Sequence, residues 1–173
     1  CYAGLFAWIS GASFVLQNLY GLSPQQFGIA FSFGAVGYMA GAAVAARLVV
    51  RLGLDGVIGI GACAHTIGGL AMMLSVALGL TSAVSLVLPM VIYLAGLGMV
   101  LPQSIAGALT PFPERAGAAS SLFGFVQQGM AAACGGVVGW LLGHNAWPVA
   151  GAVAFMGIST LLIWLLTRGI RAN

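Results

Sequence analysis

The 173 residues are 61% hydrophobic and 4% charged, with a formal net charge of +3. A water-soluble domain carries about 25% charged residues, and five arginines with two acids cannot clothe a folded surface of this size. A soluble globular domain is excluded, and lipid is the solvent for most of the chain.

The arginines are scattered singly and in pairs between long apolar runs, so there is no basic face and no nucleic-acid partner. Cys1, Cys63 and Cys134 are isolated and lack metal-ligand spacing. Cys63 and Cys134 read as small packing residues. No metal site and no cofactor are implied. The chain opens CYAGLFAW, already inside an apolar run. It lacks the charged start and cleavage site of a signal peptide, so it reads as a piece of something longer.

A membrane-crossing helix needs about 20 mostly apolar residues, from a 1.5 Å rise and a core ~30 Å thick. Six such spans are expected, over about 2–20, 26–50, 57–80, 84–109, 117–142 and 148–168. The fold class is therefore all-α and polytopic. The breaks carry turn chemistry: Gly21-Leu22-Ser23-Pro24, Gly53 to Gly56, Thr81-Ser82, Pro111 to Gly117, and His144 to Pro148. Connections this short make successive helices antiparallel neighbours.

On the first helix, Tyr2, Phe6, Ser10, Ser13, Gln17 and Tyr20 fall within an arc of about 80° at 100° per residue. A polar and aromatic stripe at membrane depth faces protein or a water-filled cavity, or bonds a neighbouring helix. The second helix carries Gly37 and Gly41 at the spacing that lets backbones approach closely, and Gly135, Gly139 and Gly143 repeat it later. The third is apolar except for His65. Two readings stand for it: a proton relay, or a neutral imidazole bonding a backbone carbonyl, Thr66 or Ser75.

The fourth helix places Gln103 and Ser104 directly after Pro102, which removes a backbone donor and predicts a kink. On the fifth, Ser120, Gly124, Gln127, Gln128, Ala131 and Gly135 share a face of about 100°. Adjacent glutamines deep in a span need partners, water or a ligand. The sixth is almost wholly apolar and reads as lipid-facing.

All seven charges fall in or beside the second and fourth connections or after the sixth helix. Arg47 and Arg51 flank Asp55, Glu114 adjoins Arg115, and Arg168 and Arg171 close the chain. The positive-inside rule makes that side cytoplasmic, with both termini there. No acid lies within a span, so a coupling acid for a proton-driven antiporter would belong to another part of the protein. An enzyme would need a nucleophile, base or metal ligands in reach of one another, and none cluster here, so no catalytic residue is assigned.

Gly37 to Gly53 reads GYMAGAAVAARLVVRLG, and Ala108 to Gln128 reads ALTPFPERAGAASSLFGFVQQ, preceded by Pro102. With SFVLQNLYGLSPQQFG from Ser13 to Gly28, these stretches resemble the bicyclomycin/chloramphenicol-resistance branch of the drug:proton antiporters in the major facilitator superfamily. The resemblance implies the C-terminal six-helix half of a twelve-helix multi-pass protein of the bacterial inner membrane, whose N-terminal half is the missing partner. It implies alternating-access efflux of small antibiotics in exchange for protons, and hence antibiotic resistance. The first and fourth helices would line a central cavity, the second and fifth would flank it, and Arg47 and Arg51 would join the cytoplasmic gate. In the family's first-half copy of that motif an aspartate precedes the arginine, whereas Ala45 and Ala46 precede Arg47 here. A positive-inside anchor is therefore the other reading of the pair. The substrate-cavity candidates are Tyr2, Phe6, Ser10, Ser13, Gln17, Gln103, Gln127 and Gln128. The alternatives are uptake of another small solute by a related transporter, and a half-size protein working as a dimer.

Overall fold

The computed structural model describes residues 1–111, 113–143 and 145–167. His144, Arg168 and Arg171 lie outside the described residues. So does the charge expectation for the C-terminal end.

Among the described residues all regular structure is helical. Helix α1 spans Tyr2–Ser13 and continues as a wider π-helical segment over Phe14–Leu19. Then come α2 (Pro24–Ala77), α3 (Ala83–Leu109), a single 3-10 turn at Pro113–Arg115, α4 (Ala116–Leu141) and α5 (Trp147–Leu166). The start of α2 is fixed locally. The Ser23 hydroxyl accepts from the Gln26 backbone N–H at 3.3 Å, and the Gln26 side chain accepts from the Ser23 N–H at 2.9 Å. Pro24 follows at the first helical position, where its missing donor costs nothing.

The helical stretches differ from six separate spans. Among the described residues four are long and apolar enough to cross a membrane: Pro24–Ala77, Ala83–Leu109, Pro113–Leu141 and Trp147–Leu166. The expected spans 26–50 and 57–80 belong to one stretch of 54 residues, and α1 keeps α geometry for only 12. The long stretch is not one straight rod. Gly53 sits at φ 68 and ψ 176, a backbone conformation that breaks the ladder and that glycine adopts without strain. Residues 24–52 and 54–77 form two arms on either side of it.

Both arms pack on α3. Gly37, Gly41 and Ala42 of the first arm meet Val91, Ala95 and Gly98, whereas Gly61 and Gly68 of the second meet Gly96 and Tyr93. Contacts thus rise along α3 with the first arm and fall with the second. One arm runs parallel to α3 and the other antiparallel, so the chain folds back at Gly53.

The other side of the bundle repeats this plan. Helix α1 packs against both α4 and α5, which touch each other far less than either touches α1. Sequence neighbours α4 and α5 meet only loosely, with a cavity between them, and each packs chiefly on other helices. Helix α3 stays helical through Pro89 and Pro102.

Lipid supplies no hydrophobic drive between apolar helices, so cohesion comes from close packing and interhelical hydrogen bonds. The core centres on Trp8, Leu16, Met72, Met90, Tyr93, Leu97 and Val153. Side-chain bonds tie the helices across it. The Thr66 hydroxyl donates to the Gly157 carbonyl at 2.8 Å. Nearer the end of α5, Trp164 Nε1 donates to both the carbonyl and the carboxylate of Asp55 at 3.2 Å. Such bonds average about 0.6 kcal/mol within membranes. Trp164→Phe should therefore lower thermal stability only slightly, by less than about 1 kcal/mol, measured on the detergent-solubilised full-length protein.

Candidate functional site

The polar stripe of α1 is built by helix periodicity alone. The rings of Tyr2 and Phe6 meet at a tilt of 48° with centroids 5.1 Å apart, Ser10 and Ser13 are exposed, and the Gln17 amide donates to Ser13 Oγ at 2.7 Å. That last bond falls in the π-helical segment. Ser10 also faces α4, where its Oγ lies 2.6 Å from the position a side chain on Gly135 would occupy. Only a glycine there lets α1 and α4 approach so closely.

Two cavities flank the start of α1. One, of about 330 Å³, brings Tyr2 of α1 together with Gln127 of α4, Ser104 of α3 and Thr160 of α5. The next, of about 580 Å³, is lined by Gln103, Ser104, Asp55, Thr160 and Trp164. They share Cys1, Ser104, Thr160 and Ile163 and are contiguous there. Tyr2 thus comes to one end of the bundle together with Gln103 and Gln127, both more than a hundred residues further along the sequence. Gln128 is exposed on α4 and lines neither cavity.

A third cavity, of about 340 Å³, opens between α1, the first arm of α2 and α3. Its wall holds the rings of Tyr2, Trp8, Phe31 and Tyr38, with Met39 beside them. Trp8, Phe31 and Tyr38 were not among the expected cavity residues. Aromatic residues scattered over two helices carry no polar periodicity, and only the placing of α1 opposite the first arm of α2, across this cavity, brings them together. Such a wall offers stacking surface and two phenolic hydroxyls, without a formal charge.

His65 is elsewhere. It is fully buried, its Nδ1 lies 2.9 Å from the Tyr93 carbonyl, and its ring stacks on that of Tyr93 at 3.5 Å between centroids. Nδ1–H donating to this carbonyl leaves Nε2 as the acceptor nitrogen. His65 lines none of the three cavities described above. The geometry matches a neutral imidazole bonding a backbone carbonyl. Thr66 turns instead to the Ala62 and Gly157 carbonyls, and Ser75 to that of Ala71. His65→Asn keeps a donor for the Tyr93 carbonyl but loses the stacked ring. It should cost about 1–3 kcal/mol of stability, checked by thermal unfolding.

Arg47 and Arg51 are exposed one helical turn apart at the end of the first arm, just before the Gly53 break. No group of three or more metal-ligating side chains occurs among the described residues.

No family model matches the chain, and no solved structure matches it. Two curated relatives do. The chain is 29% identical over 170 residues to an uncharacterized MFS-type transporter, YdgK, of Bacillus subtilis, covering 91% of this chain and 41% of the relative. It is 26% identical over 167 residues to a bicyclomycin resistance protein homolog of Haemophilus influenzae, covering 96% of this chain and 42% of that protein. The chain therefore spans about two fifths of the length of the curated relatives it matches. The apolar helical bundle and both relatives agree on one likeness: over most of its length this chain is similar to part of an MFS-type membrane transporter.

Proposed function

We propose that this bundle is the C-terminal half of a twelve-helix transporter that exports small, partly apolar drugs from the cytoplasm in exchange for protons. In this reading the two arms of α2 cross the membrane separately and α1 crosses through its π-helical segment, giving six crossings. Arg47, Arg51, Glu114 and Arg115 then lie on the cytoplasmic side. The observation that carries the reading is the uncharged polar and aromatic wall on α1, α3 and α4, within a bundle otherwise faced with apolar side chains. A wall of this kind binds by stacking, dispersion and a few hydrogen bonds, and tolerates substrates of varied shape. The bicyclomycin resistance homolog among the relatives supports a drug as cargo.

The acid lining these contiguous cavities is Asp55, which accepts from Trp164 Nε1 at the edge of the bundle and is given no coupling role in this reading. The proposal places the coupling carboxylate in the remaining part of the full-length protein, and His65 has a packing role. Export is tested in cells lacking other drug pumps that express the full-length gene. Resistance to bicyclomycin or chloramphenicol should rise, and collapsing the proton gradient should abolish the active extrusion of drug. Unchanged susceptibility to both drugs at normal protein levels would count against a drug as substrate.

A further inference from the structure

Helix α1 leaves α geometry at Phe14, and from there to Leu19 its backbone is π-helical. The Tyr20 N–H bonds the Val15 carbonyl, five residues back, at 3.0 Å, and the Leu22 N–H bonds that of Leu16 at 3.0 Å. A π turn contains one residue more than an α turn, has poorer bonding, and occurs frequently at functional sites. One side of this turn is held, because Val15 and Leu16 are fully buried. The other side is open at Ser13 and Asn18. The end of the turn is tied down by a single side-chain bond, from Tyr20 Oη to the Leu80 carbonyl at 3.1 Å. That carbonyl belongs to the α2–α3 connection and follows Gly79, which sits at φ 70. Gly21 at φ 72 gives the chain a second pivot on the other side of Tyr20.

We propose that this segment is a switch for the outer end of the transport pathway, with Tyr20 as its latch on Leu80. The inference rests on the alternating-access reading above. Latched, the turn keeps its extra residue. Released, the turn tightens to α geometry, and residues beyond it rotate by roughly 100° and move about 1.5 Å relative to those before it. Gln17 lies within the turn and bonds Ser13, so the switch changes the polar stripe where it reaches the outer surface.

The test uses the full-length transporter with its native cysteines replaced and Ser13→Cys introduced, labelled in intact cells by a membrane-impermeant maleimide. Adding Tyr20→Phe should raise the labelling rate roughly three- to tenfold, the population shift expected from losing one net hydrogen bond. Deleting Asn18 removes the extra residue and should give the high rate whether or not Tyr20 is present. Unchanged labelling in both variants at normal protein levels overturns the switch. Loss of both variants from the membrane overturns it as well, because the turn is then a structural anchor. The readout needs no substrate. A labelling response without drug export would sink the export reading and leave the switch standing, and drug export without a labelling response would do the reverse.

Discussion

Gly41→Leu in the full-length transporter should remove most of the folded protein from the membrane. A side chain at Gly41 would overlap the backbone carbonyl of Ala95, and one at Gly98 would overlap that of Tyr38. Backbone atoms on two packed helices cannot step aside as a flexible side chain can, so the first arm of α2 must move off α3. Overpacking costs 1–3 kcal/mol where side chains can adjust. Here the cost should be about 3 kcal/mol or more, a large share of the 5–15 kcal/mol that holds a typical fold together. Gly151→Leu on α5 is the control, since open space surrounds that position. Fluorescence-detected size-exclusion chromatography of solubilised protein should show the Gly41 variant aggregated and the Gly151 variant monodisperse.

The second large effect is on transport. Gln127→Leu should lower drug resistance roughly fivefold, the equivalent of one lost hydrogen bond to bound substrate of about 1 kcal/mol. The amount of folded protein should stay unchanged. Gln127 is half-buried on α4 and faces the cavity shared with Tyr2 and Ser104, and leucine is isosteric enough to keep that wall packed. Gln17→Leu and Gln103→Leu should behave similarly. Inhibitory concentrations and quantitative blots of the membrane fraction check both halves of the statement. An equal fall in resistance and in folded protein would make these glutamines packing residues.

Gly41 was visible in the sequence because its role follows from spacing: Gly37 and Gly41 lie on one helix face, and both meet α3. The break at Gly53 was visible for a similar reason, as a glycine beside charges between two apolar runs. Two glycines of the later repeat behave differently. A side chain at Gly135 would meet Ser10, whereas one at Gly139 or Gly143 would meet nothing, because those two positions point away from α1. Spacing identifies a face that permits close approach, but the crossing point depends on the partner helix.

What the sequence hid depends on which helices touch. Short connections suggested that α4 and α5 pack closely, yet both pack more extensively on α1, much as both arms of α2 pack on α3. Chain order constrains the ends of helices and leaves free which helices pack together. The aromatic pocket of Trp8, Phe31 and Tyr38 follows from that arrangement and has no local signature. His65 shows the same limit. Its partners, the carbonyl and ring of Tyr93, lie 28 positions away and emerge only from the packing of α2 on α3. The π-helical turn also escaped, since FVLQNL has the same apolar pattern in either helix type.

Transport in inverted membrane vesicles reads proton-driven drug export itself. With the full-length protein present and an inward-acid gradient imposed, a radiolabelled drug of the bicyclomycin or chloramphenicol type should accumulate in the lumen. Accumulation should collapse with the gradient and fall roughly fivefold with Gln127→Leu, the loss of about 1 kcal/mol of binding. Accumulation that ignores the gradient, or that Gln127→Leu leaves untouched at equal protein levels, would contradict the account.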